Sequence, residues 1–434
     1  MITITTAGLG FLMMIGLMFL GLHVATVMFA VSLLGAWLYL GDPIVNAFGN
    51  QMWGSMDDTI LLSIPLYILV GEILVRGGAT DRMYKALSDW LSRLPGGLLH
   101  TNIGASALFS AVSGSSVATA ATISTVALPA FKGRNYDQKL VLGTIAAGAS
   151  LGNLIPPGIA LIIYGAMTNT SVGRLYAGAV VPGLIMTGIF MLTIVIISLS
   201  RRDLAASEEK LDPLPVRLRR LTGLLAPCFI FAVIMGSIYT GWATPTESAA
   251  LAVILSLPIA ALHGKLSVSM LHQCFLATVC LTSMSILILA VAFYLNFVMG
   301  LLGVTQALSG FVASLGTTQM QLLFVLLAFY LILGVFFETL PMLVGTVPIV
   351  FPLVASVGVD PVWFGVFIVL MCEISLISPP VGMTLYVIQA VRREGSINDV
   401  FLGTLPFFAS MIVMAVLMIL WPEMVLWLPR LTFG

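Results

Sequence analysis

The chain has 434 residues, of which 59% are hydrophobic and 8% charged, and its 18 basic residues balance 18 acidic ones. Soluble domains carry about a quarter charged residues, so the composition excludes an ordinary soluble protein and points to a lipid bilayer as solvent. The net charge of zero carries no information about partners, and no nucleic-acid partner is expected.

A bilayer-spanning helix needs about 20 mainly apolar residues. In chain order, apolar runs occupy 4–21, 23–40 and 59–76. An apolar stretch over 97–131 follows, too long for a loop and interrupted by Ser113-Gly114-Ser115-Ser116. It predicts two short helices meeting as a re-entrant hairpin, tolerated only inside protein or a water-filled cavity. The run 139–168 is broken at Pro156-Pro157, and 175–200 is continuous. A charged linker, 201–220, holds Pro213 and Pro215. Beyond it lie runs at 221–240, 246–263 and 272–296, then a second hairpin at 320–355, interrupted by Phe336-Phe337-Glu338-Thr339. The run 361–391 is broken at Pro379-Pro380, and 400–421 closes the series. Segments near 80–95 and 300–317 read as amphipathic interface helices. The first basic residue is Arg76, so the apolar N-terminus reads as a retained helix, not a cleaved signal.

An ungapped shift of 223 residues lays Pro156-Pro157 on Pro379-Pro380, Pro129 on Pro352 and Asp137 on Asp360. It also lays the first polar break on the second. The chain therefore reads as an all-α integral membrane protein of about ten spans in two repeats, 1–200 and 221–434, joined by the cytoplasmic linker 201–220. Basic residues cluster around the first hairpin and in the linker, whereas none occurs from Leu266 to Val391. The positive-inside rule then opens the first hairpin to the cytoplasm and the second to the outside, making the repeats inverted. Only Arg174 and Arg430 disagree with that threading.

Each Pro-Pro pair removes amide donors and leaves carbonyls unpartnered at low dielectric. Those of Gly152 to Ile155, with the Asn153 side chain, suit a desolvated hard cation such as Na⁺. A proline also fits the first turn of the next half-helix, whose amides would face an anion. The same reasoning applies to 377–382. The competing reading is a kink that only shapes packing, and two matched pairs, each with a polar hairpin, weigh against it. The hydroxyls and free backbone at Ser113–Ser116 suit an ion at a hairpin tip, against close packing by small residues. Glu338 is an intramembrane acid of the kind that marks ion paths, the alternatives being a carboxylate facing water at the hairpin mouth or a cap for a helix starting near Pro341. Thr244-Pro245-Thr246-Glu247 has capping-box spacing, so Glu247 is expected to start a helix. Glu72 and Glu373 have no role assigned by the sequence. Gly148-Ala149-Ser150-Leu151-Gly152 matches a hydrolase elbow in letters only, no histidine clusters with it, and no enzyme activity is expected. The four scattered cysteines read as packed thiols.

At these residues the chain resembles the large membrane subunit of tripartite ATP-independent periplasmic (TRAP) transporters, the DctM-like family. The matching stretches are LLSIPLYILVGEIL, AVSGSSVATAATISTVALPAF, LGNLIPPGIALIIYG, GRLYAGAVVPG, GWATPTESAA and LISPPVGMTLYV. Gly158, Ser378 and Glu338 stand where the family often has Ser, Thr and Asp. The resemblance implies Na⁺-driven import of small organic anions by an elevator-type fold in the bacterial inner membrane. It implies two partners, a small four-helix membrane subunit and a periplasmic substrate-binding protein. It also implies one Na⁺ among Ser115, Ser116, Asn153 and Pro156, and a second among Glu338, Thr339, Ser378, Pro379 and Gly382. The substrate carboxylate would lie near Ser113, Gly114, Pro157, Gly158 and Pro380. Alternatives are a self-sufficient ion-coupled carrier, a membrane scaffold or an intramembrane hydrolase.

Overall fold

A computed structural model describes residues 4–201, 212–314 and 316–434. Among them every regular element is a helix. The first two apolar runs form Ile4–Phe19 and Val24–Tyr39, and the third forms a short 3-10 turn at Thr59–Leu62 leading into Ser63–Arg76. The first hairpin is Leu98–Ser113 and Ser116–Phe131, and the first broken helix is Gln138–Ala149 and Ile159–Thr168. Val172–Ser200 completes that half. The second half runs Thr222–Tyr239, Pro245–Leu262, Val268–Leu302, the hairpin Gln319–Gly334 and Thr339–Ser356, the broken helix Pro361–Leu376 and Met383–Arg392, and Ile397–Leu420. Arg202 and Lys210 of the linker lie outside the described residues.

The 223-residue offset reappears in the helix starts. Ser116 and Thr339 each open the second arm of a hairpin, and Gln138 and Pro361 each open a broken helix. Asp137 and Asp360 explain the latter pair. Each is an N-cap in extended conformation whose Oδ1 accepts two amide bonds, from Lys139 and Leu140 at 2.7 and 3.1 Å and from Val362 and Trp363 at 2.7 and 3.2 Å. Losing such a cap costs about 1 kcal/mol. Asp137→Ala and Asp360→Ala should therefore lower the unfolding midpoint in detergent by similar amounts.

Seven helices among the described residues are long and apolar enough to cross a membrane: Thr59–Arg76, Val172–Ser200, Leu214–Tyr239, Pro245–Leu262, Val268–Leu302, Thr339–Ser356 and Ile397–Leu420. The long helices keep apolar faces exposed, as at Leu184, Leu192, Ile196 and Leu199. The broken helices do the reverse: residues 140–154 are buried throughout, as are residues 362–378. The N-terminal piece of each broken helix is thus shielded from an apolar solvent, whereas Pro380 and Val381 at the second interruption are exposed.

The two halves interlock by exchange. The second arm of each hairpin packs on the C-terminal piece of the other half's broken helix, and the N-terminal piece of each broken helix packs on the other half's last long helix. Tyr84 Oη donates to Asn102 Oδ1 at 2.7 Å, and Asn102 Nδ2 donates to Thr144 Oγ1 at 2.9 Å, fastening the first hairpin to its broken helix.

Basic residues of the linker are held by side chains of the first half. Arg220 pairs with Asp89 and Asp212 at 3.0 and 2.7 Å, and buried Arg217 lies 4.6 Å above the Trp90 ring. The linker helix Leu214–Arg220 is thereby pinned to the amphipathic helix Ala79–Leu91. The two dissenting arginines share one end: Arg174 Nη2 reaches the Phe433 carbonyl at 3.5 Å, while Arg430 pairs with Glu423 at 2.7 Å. Glu72 pairs with Arg76 one turn along its own helix at 3.0 Å. Thr244 and Glu247 form the reciprocal capping box their spacing predicts. The sequence reading did not foresee the short helices Asp42–Asn46 and Phe48–Met56, or the last helix, Glu423–Phe433.

Candidate functional site

Proline chemistry builds the first break. In a continuous helix the amides of residues 156 and 157 would serve the carbonyls of Gly152 and Asn153, and both residues are proline. The amide of Ile159, which would serve Ile155, instead donates to Gly114 O in the hairpin tip at 3.2 Å. The carbonyls of Gly152, Asn153, Leu154 and Ile155 consequently accept no hydrogen bond among the described residues. Both Pro-Pro peptide bonds are cis.

The hairpin tip presses directly on this break. Gly114 sits at φ +59, where its missing Cβ leaves room for the Pro157 carbonyl. Gly152 lies so close to the backbone of Ser115 and Ser116 that a Cβ would overlap it. Ser115 caps the second arm, its Oγ accepting from Ala118 N at 3.4 Å. Ser113 Oγ lies 3.2 Å from Thr119 Oγ1. Ser115, Ser116, Asn153, Gly114 and Pro157 are therefore brought together, with Pro156 and Gly158 in the same buried turn.

One residue left without a role by sequence reasoning lies at the centre. Glu373, from the second half's broken helix, is fully buried. Its Oε2 accepts from Ser116 Oγ at 2.6 Å and its Oε1 from Asn153 Nδ2 at 2.7 Å, while Asn153 Nδ2 also lies 3.1 Å from Ser116 Oγ. The signal was present in the sequence: Glu373 is the lone charge between Asp360 and Arg392, six residues before a Pro-Pro pair.

The second break is more self-satisfied. Gly382 N donates to Ser378 O at 2.9 Å, and Tyr386 Oη donates to Pro380 O at 2.8 Å, which leaves the Leu376 and Ile377 carbonyls without donors among the described residues. Ser378 is buried, whereas Pro379 is half-buried and Pro380 exposed. Thr339 is buried, its Oγ1 has no partner, and its carbonyl accepts from Cys372 Sγ at 3.6 Å. Glu338 occupies the N-cap position of its helix but makes no side-chain cap bond. It lines a cavity of about 330 Å³ with His23, Phe337 and Val381.

One expectation is corrected. The prolines do not enter the first turn of the following half-helices, because those helices start at Ile159 and Met383 with Gly158 and Gly382 as N-caps. Both prolines of each pair therefore lie in the turn ahead of the cap. Ser150, in the stretch that matches a hydrolase elbow in letters only, ends a helix, and its Oγ lies 2.8 Å from Ala147 O and 3.5 Å from Met411 Sδ.

The comparisons with known proteins bear on this geometry. The family model for the tripartite ATP-independent periplasmic transporter, DctM component, matches residues 11–424. The chain is 30% identical over 428 residues to the sialic acid TRAP transporter large permease protein SiaM of Vibrio cholerae, covering 97% of each. It is 31% identical to the C4-dicarboxylate TRAP transporter large permease protein DctM of Pseudomonas aeruginosa, over 89% of this chain and 90% of that relative. The crystal structure of the Alcanivorax borkumensis YdaH transporter is similar with a TM-score of 0.59 over 87% of both chains, and at 15% identity this is a likeness of fold.

Proposed function

The chain belongs to the DctM component family of TRAP transporters, and from that premise we propose that it is the large permease subunit of a sodium-coupled importer of small organic anions. The observation that carries the reading is the junction of the first hairpin tip with the first break. Four desolvated carbonyls, Gly152 to Ile155, sit beside the side chains of Ser116 and Asn153, a neutral oxygen-rich set matched to a hard monovalent cation. The residues fit Na⁺, which would supply positive charge where the hairpin closes. Ser115, Ser116, Asn153 and Pro156 would hold it, with Glu338, Thr339, Ser378, Pro379 and Gly382 forming a second, looser site.

The substrate carboxylate would meet the tip backbone at Ser113 and Gly114 and the turns at Pro157, Gly158 and Pro380. The amides of Ala160 and Leu161 point out of a helix start without acceptors among the described residues, a setting that favours an anion. Movement would follow an elevator scheme, the hairpins and broken helices travelling as one body against the long lipid-facing helices. A small membrane subunit and a periplasmic binding protein complete the system, in the bacterial inner membrane.

Uptake into vesicles containing the chain and its small subunit, with binding protein outside, tests the coupling. Transport should require a Na⁺ gradient and fail with Li⁺ or a proton gradient alone. Full uptake without Na⁺ would overturn the reading, and uptake by this chain alone would favour a self-sufficient carrier.

A further inference from the structure

Glu373 poses an electrostatic problem that the rest of the site does not solve. Its side chain is enclosed completely, and no Lys, Arg or His lies within ion-pair distance among the described residues. Both of its hydrogen bonds come from donors: the Asn153 amide nitrogen can only donate, and it reaches Oε1 at 2.7 Å. Ser116 Oγ already has that same nitrogen at 3.1 Å, so the hydroxyl proton is free to point at Oε2, 2.6 Å away. Both carboxyl oxygens are thus engaged, one by each of two elements of the first half. An acid enclosed in this way holds a negative charge only if a cation is placed beside it, and this one stands one hydrogen bond from Asn153, whose own carbonyl and its neighbours lack donors. A buried acid from the second half is thus bonded to a residue of the first break, where carbonyls lack donors.

We propose that Glu373 supplies the charge for the cation site at the first hairpin tip, so that the site is completed only when the second half's broken helix is docked against it. The inference rests on the sodium reading above and deepens it. Ser116 and Asn153 then act as the joint: each touches the carboxylate, and each belongs to an element of the first half. A cation held there ties the hairpin tip, the first break and the second broken helix into one unit. Without it, the tip faces a buried acid that has no counter-charge.

The test is equilibrium binding of radioactive sodium to the purified chain with its small subunit, comparing wild type, Glu373→Gln and the exchange variant Asn153→Asp/Glu373→Gln. Glutamine keeps the shape and removes the charge, its amide oxygen accepting from Asn153 while its nitrogen donates to Ser116 Oγ instead of accepting from it. It should weaken Na⁺ binding by about tenfold or more, and the exchange variant, which returns one carboxylate to the same pair of positions, should recover most of the loss. Unchanged binding by folded Glu373→Gln overturns the role of Glu373 while leaving the sodium reading intact. Absence of binding by the wild type overturns the sodium reading itself. If Glu373→Gln does not fold, the exchange variant decides, because weak binding by that folded protein also overturns the proposal.

Discussion

Gly403→Ala should destabilise the protein by about 3 kcal/mol, the upper part of the range for overpacking a filled interior, and Gly143→Ala should do nearly the same. The two glycines are where Gln138–Ala149 and Ile397–Leu420 touch backbone to backbone. A Cβ on Gly143 would fall on the Gly403 carbonyl, and one on Gly403 would fall on the Lys139 carbonyl, a turn away on the facing helix. Overlap with a flexible side chain can be relieved by a rotamer change. Overlap with two main-chain carbonyls cannot, so the helices must part. Close approach through small residues is how helices associate where lipid offers no hydrophobic drive, and this crossing joins the first half to the second.

The measurement is the thermal unfolding midpoint of the purified protein in detergent. The double variant should cost clearly less than the sum of the singles, because one separation relieves both clashes. Gly188→Ala is the internal control. It lies within Val172–Ser200 with nothing within 4 Å of a built Cβ, so only the intrinsic helix preference for alanine acts, about 1 kcal/mol in the stabilising direction. A neutral Gly403→Ala would mean that the two helices are not in backbone contact.

Sequence reading located the breaks because proline and small polar residues inside apolar runs are physically loud. Pro156-Pro157 and Pro379-Pro380 remove donors wherever the chain goes, and the hairpin tips fall at Gly114-Ser115 and Glu338. Asp137 and Asp360 were visible as matched letters, and the structure gives them a matched job as caps. The helices Asp42–Asn46 and Phe48–Met56 escaped notice because they are short and carry no apolar periodicity long enough to register. Contacts across the chain were the true blind spot. Glu373 finds Ser116 over 257 residues of separation, and no local pattern says which partner a lone acid will meet. Gly143 and Gly403 likewise look like any of the 41 glycines until the crossing is seen.

The largest functional loss should follow from Gly152→Ala. A Cβ there would overlap the Ser116 amide and lie 2.6 Å from the Ser115 carbonyl carbon. The hairpin tip has nowhere to shift sideways. On one flank Ser113 Cα is 3.1 Å from where a Cβ on Gly71 would stand, and on another Gly114 is fitted against the Pro157 carbonyl and receives the Ile159 amide at 3.2 Å. The tip must therefore back away from the break. That lengthens the Ser116 contacts to Asn153 and Glu373, now 3.1 and 2.6 Å, and opens the junction of hydroxyl, amide and carboxyl groups beside the unpartnered carbonyls. Misplacing a constellation by about 1 Å can cost a hundredfold in rate, so uptake per folded molecule should fall by about that factor. The variant should remain monodisperse, since the long helices do not pass through this contact. Wild-type uptake by Gly152→Ala would show that the tip works without docking on the break, and the site would then have to be sought at the second hairpin, around Thr339 and Ser378.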